Sequence, residues 1–301
     1  GINMMSYGDF PEIANDYSDK SIQIPRGAII NGNLNEVFDV DTRDPEQVQE
    51  FVDHSWYKYP EADKGLHPWD GITDQHYELP PGSDGTETKF NWLAPDGKYS
   101  WIKSPRWRGH MMEVGPLARM VIGIAKNVPH YKEPALELLK ELNLPLEAAF
   151  STLGRHAARA LECEWMTHKL VQYIDDLTAN IKAGDETAAN MEFWEPKTWP
   201  KECRGVGPCE APRGALAHYC VIKNGRLENW QAVVPTTWNA SPRSSEGQKG
   251  TYELSLIGTP LADPKRPLEI IRTIHSFDPC LACATHLYSP EGEELTSVQV
   301  C

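Results

Sequence analysis

The segment Asp278–His286 limits what this chain can fold into and bind more than any other feature of its sequence. It reads Asp-Pro-Cys-Leu-Ala-Cys-Ala-Thr-His, with two cysteines three positions apart and a histidine three positions after the second. Pro279 fixes the backbone before Cys280, and such a turn can direct two thiolates at one metal. The spacing therefore favours a metal site, with zinc as the default for thiolate plus imidazole ligands. A closed zinc site needs four ligands and the chain has no second CxxC, so the spacing leaves an accidental CxxC open.

Two further motifs precede it. In Gly207–His218, Arg213 stands between a proline and a glycine, which holds a side chain stiffly and close to the backbone. A fixed guanidinium can bind an anion or provide charge at a reactive centre, and a turn arginine in a surface ion pair is the alternative. Val233–Asn239 ends a strand with a proline, two hydroxyls and an amide. On its own it is weak evidence for a functional site, because most such runs are turns.

Charge excludes some partners. Acidic residues outnumber basic ones 43 to 29, giving a net charge of −14. This argues against nucleic acid and anionic membranes, because a protein that binds phosphates needs a basic surface. The longest apolar run, Met120–Ala125, is far below the ~18 residues of a membrane span, and no signal peptide is visible.

Hydrophobic spacing and turn signals predict a helix-dominated α+β chain. We expect strands and turns over 1–45, a long ordered excursion over 57–104, and a hairpin over 215–235. Helices are predicted at 44–54, 105–126 with a kink at Pro116, 145–183 and 267–276. The last residues, 295–300, are typical of a strand. The 145–183 helix is expected to bury one stripe, formed by Phe150, Leu153, Ala157, Leu161, Trp165, Val171, Ile174 and Ile181.

Taken together, the three motifs resemble the C-terminal half of a [NiFe] hydrogenase large subunit of the membrane-associated, H2-uptake type. Asp278–His286 matches the family motif DPCxxCxxH, and Gly207–His218 matches GxxxxPRGxxxH. Val233–Asn239 and Gly154–Glu162 are similar to further stretches of the family, so the likeness extends over most of the chain. The resemblance implies a long-helix bundle with irregular β-hairpins around a buried metal site. The implied activity is reversible cleavage of H2 to protons and electrons, with uptake favoured.

The resemblance also implies a Ni–Fe centre whose iron carries cyanide and carbon monoxide, held by four cysteines, two from each end of the subunit. Cys280 would be a terminal nickel ligand and Cys283 would bridge nickel and iron, and soft thiolates suit both metals. His286 would ligate a magnesium ion beside the centre, together with the backbone carbonyl at Ala232.

Two residues are implied to be catalytic. Arg213 would overhang the open nickel position, and Asp278 would pair with it. The pocket of the diatomic ligands would be lined by Pro212, Val234, Pro235, Thr236 and the Arg213 side chain.

The implied partners follow from what this chain lacks. No iron–sulfur cluster motif is present, so the clusters are expected in a small subunit, with a membrane cytochrome b further downstream. Nickel-delivery proteins and a maturation endopeptidase are implied as well. The resemblance places the protein on the periplasmic side of the membrane, associated through its partner subunits, with no role for nucleic acid.

The chain departs from the family pattern in two ways. The family's other CxxC, in its RxCGxC context, and the nearby proton-accepting glutamate belong to an N-terminal half that is absent here. We therefore expect Gly1 to begin in mid-subunit and residues 1–301 alone to be inactive. Residues 287–301 continue beyond His286, where the mature subunit ends, so the chain resembles a precursor that is cleaved between His286 and Leu287.

On this basis we divide the chain into a strand- and loop-rich region (1–104), a helical core (105–200), a hairpin and metal-ligand region (201–286) and a C-terminal prosegment (287–301). Two other interpretations remain. One is a structural zinc-binding or interaction module that uses Cys280, Cys283 and His286. The other is a complex-I-like descendant that lost the metal, against which the two cysteines and Arg213 speak.

Overall fold

The computed structural model describes residues 2–13, 16–61, 64–76, 97–185, 187, 189, 191–192 and 194–280, together with the backbone of strands at 283–288 and 294–300. Within these residues, six α-helices accompany nine strands in four small antiparallel sheets, so the α+β class is confirmed. None of the described helices has the length and apolarity needed to cross a bilayer.

The first half of the chain contributes two antiparallel strand pairs and three α-helices. The pairs are β1 (Met4–Pro11) with β2 (Ile22–Ile29), and β3 (Val48–Phe51) with β4 (Ser104–Trp107). The helices are α1 (Pro116–Ala125), α2 (Pro129–Glu141) and α3 (Thr152–Lys182). Helix α1 is the central element, because it contacts β1, β2, β6, α2 and α3 and eight of its residues are buried.

The second half is built on a three-stranded sheet of β5 (Glu202–Ala211), β6 (Gly214–Lys223) and β7 (Arg226–Val233). Short helices α4 (Pro235–Asn239), α5 (Thr251–Leu256) and α6 (Leu268–His275) follow. The chain ends with β8 (Cys283–Tyr288) paired to β9 (Glu294–Val300). The buried face of the sheet packs on Trp107, Met112, Val114 and Trp238.

Several predicted elements are confirmed. The β6–β7 hairpin turns at Asn224-Gly225, both with positive φ, as the sequence predicts. Helix α6 and the C-terminal strand are present. Strand β5 was not predicted, because Gly205, Gly207 and Pro208 interrupt its pattern. It is an edge strand paired only with β6, where proline is tolerated.

Two predicted helices are wrong in whole or in part. Residues 44–54 form turns and β3 rather than a helix, because the backbone of 48–51 pairs with β4 far along the chain. The helix predicted at 105–126 begins only at Pro116, which occupies its first position and starts it instead of kinking it. Helix α2 was not predicted, and residues 77–96 of the predicted excursion lie outside the described residues.

Helix α3 confirms the long helix and corrects its predicted buried stripe. Ser151 caps its start by accepting the Gly154 N–H, and Gly184 follows its end with φ of 87°. Only the first turns pack on α1, where Ala158 is buried and Leu161 partly so. Elsewhere the prediction is wrong: Leu153 in the first turn is 79% exposed, and Val171 and Ile174 are 59% and 54% exposed, whereas Trp165 is partly buried against His130. The periodicity is therefore real, but among the described residues nothing covers Val171, Ile174 and Ile181 on the later part of the helix.

Candidate metal centre

The tip of the β5–β6 hairpin carries Arg213. Ala211 pairs with Gly214, so Pro212 and Arg213 form a two-residue turn. The Arg213 Nε donates to the backbone carbonyl oxygen of Asp278 at 2.7 Å, and its Nη2 donates to the Asp278 carboxylate at 3.2 Å. Both side chains are partly exposed, at 39% and 41%, so charge attraction alone contributes little and the backbone contact fixes the geometry.

The turn is fixed by direct backbone contact with the start of α1. Gly214 has φ of 130°, and a Cβ there would lie 2.5 Å from the Gly115 nitrogen. A Cβ on Gly115 would lie 2.9 Å from the Arg213 carbonyl oxygen. Since real Cβ atoms do not approach so closely, both glycines are required for this contact. Asn239 completes it by pairing with both the N–H and the carbonyl of Val114, at 3.0 and 2.9 Å.

Helix α4 holds the segment that contains Cys280. Thr236 is buried, and its Oγ1 accepts a hydrogen bond from the Cys280 backbone N–H at 3.1 Å. Val234 precedes the helix as its N-cap residue and Pro235 is its first residue. The Cys280 thiol is free and exposed. Asp278, two residues earlier, has φ of 54°, a left-handed conformation that aspartate adopts more readily than most residues.

The start of α3 supports the same segment from the other side. Arg159 Nη2 donates to the Ser276 carbonyl at 2.8 Å, and Thr152 and Thr273 hydroxyls are 3.2 Å apart. Burial lowers the pKa of Arg159, and the Asp278 carboxylate opposes that shift. Arg155 stacks on Phe277, with its guanidinium 3.9 Å from the ring centroid. The only sequence signal for these contacts was the likeness of Gly154–Glu162 to a family stretch.

The structure thus brings four predicted site residues together: Arg213 contacts Asp278, and Thr236 contacts Cys280, two residues further on. Pro212 and Pro235 are their chain neighbours. Ala232 lies in β7 opposite His218 and is exposed, without a described contact to this group.

The remaining predicted residues lie in the C-terminal hairpin, where only the backbone is described. In β8, Cys283 pairs with Val300, His286 with Ser297 and Leu287 with Thr296. The side chains of Cys283 and His286 lie outside the described residues. Among the residues that are described, no three His, Cys, Asp or Glu side chains form a group that could hold a metal ion.

Comparison with known proteins gives a consistent result. The family described as nickel-dependent hydrogenase matches residues 1–286, and residues 287–301 lie outside the match. The uptake hydrogenase large subunit of Rhizobium leguminosarum bv. viciae is 61% identical over 300 residues, which is 100% of this chain and 50% of that protein. The hydrogenase-1 large chain of Escherichia coli K12 is 54% identical over 297 residues, covering 99% of this chain and 50% of that one.

A solved structure shares the fold. The Ni-Fe-Se hydrogenase of D. vulgaris Hildenborough in the reduced state aligns with a TM-score of 0.69 and 32% identity. The alignment covers 92% of this chain and 51% of that one. The chain therefore spans about half the length of the relatives that it matches.

Proposed function

Since this chain belongs to the nickel-dependent hydrogenase family, we propose that it is part of the large subunit of a hydrogenase that oxidises H2 to protons and electrons. The observation that carries the proposal is that Arg213 contacts Asp278 while Thr236 contacts the backbone of Cys280, two residues further on, whose thiol is free. High identity to uptake hydrogenase large subunits supports the same direction of reaction.

The residues present fit a nickel–iron centre. Thiolates are soft ligands that suit both metals, and Cys280 offers a free thiol on a backbone fixed by Thr236. When bound, the centre supplies the site at which H2 is split. We propose Cys280 as a terminal nickel ligand and Cys283 as the bridging ligand, with His286 and the Ala232 carbonyl holding magnesium.

The iron is proposed to carry cyanide and carbon monoxide, beside the pocket residues Pro212, Val234, Pro235 and Thr236. Arg213 directs two of its five N–H groups to Asp278, and the others have no acceptor among the described residues. A guanidinium held in this way presents its remaining N–H donors at a fixed point, where they can bind an anion or stabilise developing negative charge. Asp278 sets its orientation.

The long-helix bundle is proposed to form with the rest of the subunit. We define the α3 seam as Leu170, Ile174, Leu177 and Ile181, which are 54–59% exposed. Their spacing of four, three and four residues is that of a helix-packing seam. Because the relatives are about twice as long, the remaining half can supply the covering helices. An uncovered seam promotes aggregation. Residues 1–301 alone are expected to be inactive, because two of the four proposed cysteine ligands belong to the other half.

The remaining proposals concern partners and processing. Electrons would leave through an iron–sulfur small subunit and a membrane cytochrome b, on the periplasmic side of the membrane. Nickel-delivery proteins and an endopeptidase would act during maturation, with 287–301 as the prosegment that is removed. The end of the family match at residue 286 supports that boundary.

The proposal is tested on the full-length parent protein, purified with its small subunit. Elemental analysis is expected to give nickel and iron near one to one, together with H2-dependent dye reduction. Zinc alone, without H2 oxidation, would instead identify a structural zinc module. Residues 1–301 expressed alone serve as the control, and dye reduction by that chain would contradict the need for the other half.

A further inference from the structure

A buried arginine on α1 contacts the backbone of the Arg213 turn. Arg119 is 1% exposed, and each of its five N–H donors has an acceptor. Three of the bonds go to carboxylates. Nε (at 2.6 Å) and Nη2 donate to Glu162, and Nη1 donates to Glu210 at 2.8 Å. The other two go to the carbonyl oxygens of Ala211 and Pro212, at 3.0 and 3.2 Å. Those carbonyls belong to the two residues directly before Arg213.

The two carboxylates are themselves fixed. Glu162, on α3, accepts the Tyr131 hydroxyl at 2.9 Å, and Glu210, on β5, accepts the Tyr7 N–H at 2.6 Å. Burial disfavours the charged form of Arg119, but its bonds and charge contacts with both glutamates outweigh burial and raise its pKa. The guanidinium therefore remains charged, and its five bonds join α1, α3 and the hairpin tip at one point.

Helix α3 also reaches the other partner of Arg213. Arg159, three residues before Glu162 and thus about one helical turn away, bonds to the Ser276 carbonyl at 2.8 Å. Ser276 lies two residues before Asp278. One stretch of α3 consequently holds both sides of the Arg213–Asp278 contact, directly on the Asp278 side and through Arg119 on the Arg213 side.

We propose that Arg119 is a positioning residue for Arg213: held by Glu162 and Glu210, it fixes the hairpin tip so that the Arg213 guanidinium stays in register with Asp278. This inference rests on the proposed function, because the role of Arg213 does. Neither the five bonds nor the burial of Arg119 is needed merely to close a two-residue turn, which the strand pairing of Ala211 with Gly214 already closes.

The test compares Arg119→Lys with Arg106→Lys in the full-length enzyme with its small subunit. Lysine keeps the charge but offers three donors from one atom, so it cannot serve both carboxylates and both carbonyls. Arg106 is equally buried but bonds to Pro105, Ser241 and Pro242, none of which belongs to the turn, and so it controls for general destabilisation.

For Arg119→Lys we expect faster hydrogen exchange at 211–216, shifted infrared bands of the cyanide and carbon monoxide ligands, and retained nickel. Its kcat should fall roughly 10–100-fold, as for a misplaced catalytic group, with KM for H2 little changed. Arg106→Lys should leave both the exchange at 211–216 and the bands as in the parent. If Arg119→Lys does not accumulate, Glu162→Gln carries the same expectations.

Two outcomes would overturn the inference: a lowered melting temperature with unchanged bands and unchanged exchange at 211–216, or identical changes in the Arg106→Lys control. A parent protein without nickel and without H2 oxidation would contradict the proposed function instead. The exchange measurement on that parent would still show whether Arg119 fixes the turn.

Discussion

Arg213 contacts Asp278 twice, and the shorter contact, 2.7 Å, is to the backbone carbonyl oxygen and not to the carboxylate. The backbone bond does not depend on the aspartate side chain. Arg213 is therefore kept in place by the conformation of the 276–280 segment as much as by charge.

Replacing Arg213 by lysine is expected to keep nickel and iron in the full-length enzyme but reduce turnover about 10²–10⁴-fold, since a flexible ammonium cannot replace a fixed planar group. Asp278→Asn is the matched control. It retains the backbone acceptor, so its loss should be smaller. Metal analysis and H2-dependent dye reduction measure both, and unchanged turnover in Arg213→Lys with intact metals would make Arg213 structural.

Thr236→Val is expected to accelerate nickel loss to a chelator, because it removes the acceptor of the Cys280 N–H. The contact is only partly buried, so its loss is expected to cost about 0.5–1.5 kcal/mol, the net value of an ordinary hydrogen bond. Thr236→Ser keeps the hydroxyl and should retain nickel as the parent does. Equal rates for the two variants would show that the 3.1 Å contact does not hold the Cys280 segment.

Cys283→Ser in the full-length parent is expected to abolish stable assembly of the nickel–iron centre, because a hydroxyl is a harder ligand than the bridging thiolate. The measurement is nickel and iron content after purification, with Cys163→Ser, at an exposed position on α3, as the control. Normal metal content and H2 oxidation in Cys283→Ser would exclude it as a ligand.

The contact between α2 and α3 is expected to weaken in mild acid. His130 stacks on Trp165 with ring centroids 4.4 Å apart and bonds to the Gln23 carbonyl at 2.9 Å. Burial lowers the pKa of His130, although the Gln23 carbonyl opposes it. The folded state thus prefers neutral imidazole. The contribution of His130 to folding stability is therefore complete above the unfolded pKa of about 6.5, and it is lost as the pH falls through the folded pKa.

The thermal midpoint of the full-length subunit, measured between about pH 8 and pH 5, checks this. Relative to the parent, His130→Gln should flatten the acid side of the profile, while the two profiles stay parallel at pH 8. A profile in which the variant loses as much stability as the parent on acidification would show that His130 does not contribute.

Cleavage of the tail is expected between His286 and Leu287, after nickel is present. Both residues lie in β8 and pair with Ser297 and Thr296 of β9, so the bond to be cleaved lies inside a paired strand. Mass spectrometry of the active parent enzyme should find a large subunit ending at His286. A fully active subunit that still carries Leu287–Cys301 would show that the tail is not a prosegment.

The sequence predicted those parts of the site that lie within one motif. The setting of Arg213 between proline and glycine and the CxxC spacing of Cys280 could be recognised from neighbouring residues, whereas the roles of Pro212 and Asp278 followed from the resemblance of their motifs to the family. The Arg119 cluster could not, because Glu162 and Glu210 are separated from Arg119 by 43 and 91 positions. Such contacts leave no local periodicity and depend on how α1, α3 and β5 pack.

The burial of the apolar face of α3 was also difficult to predict from the sequence. The apolar spacing of α3 correctly predicts a helix, but the same spacing cannot tell whether another chain segment covers it. In this chain Ile174 and Leu177 are exposed, whereas Ala158 on the same helix is buried against α1. Periodicity therefore predicted the helix and its apolar face, but not whether other residues cover that face.

The arrangement of contacts on α3 has a consequence for thermal motion. Arg159 contacts the Asp278 side directly, and Glu162 contacts the Arg213 side through Arg119 of α1, so both connections lie within about one turn near the start of α3. Bending of the helix beyond Glu162 displaces only the turns that follow the bend and leaves both connections in place. The far end of α3 can therefore move with whatever covers it, without displacing the two residues that connect the helix to the guanidinium and the carboxylate.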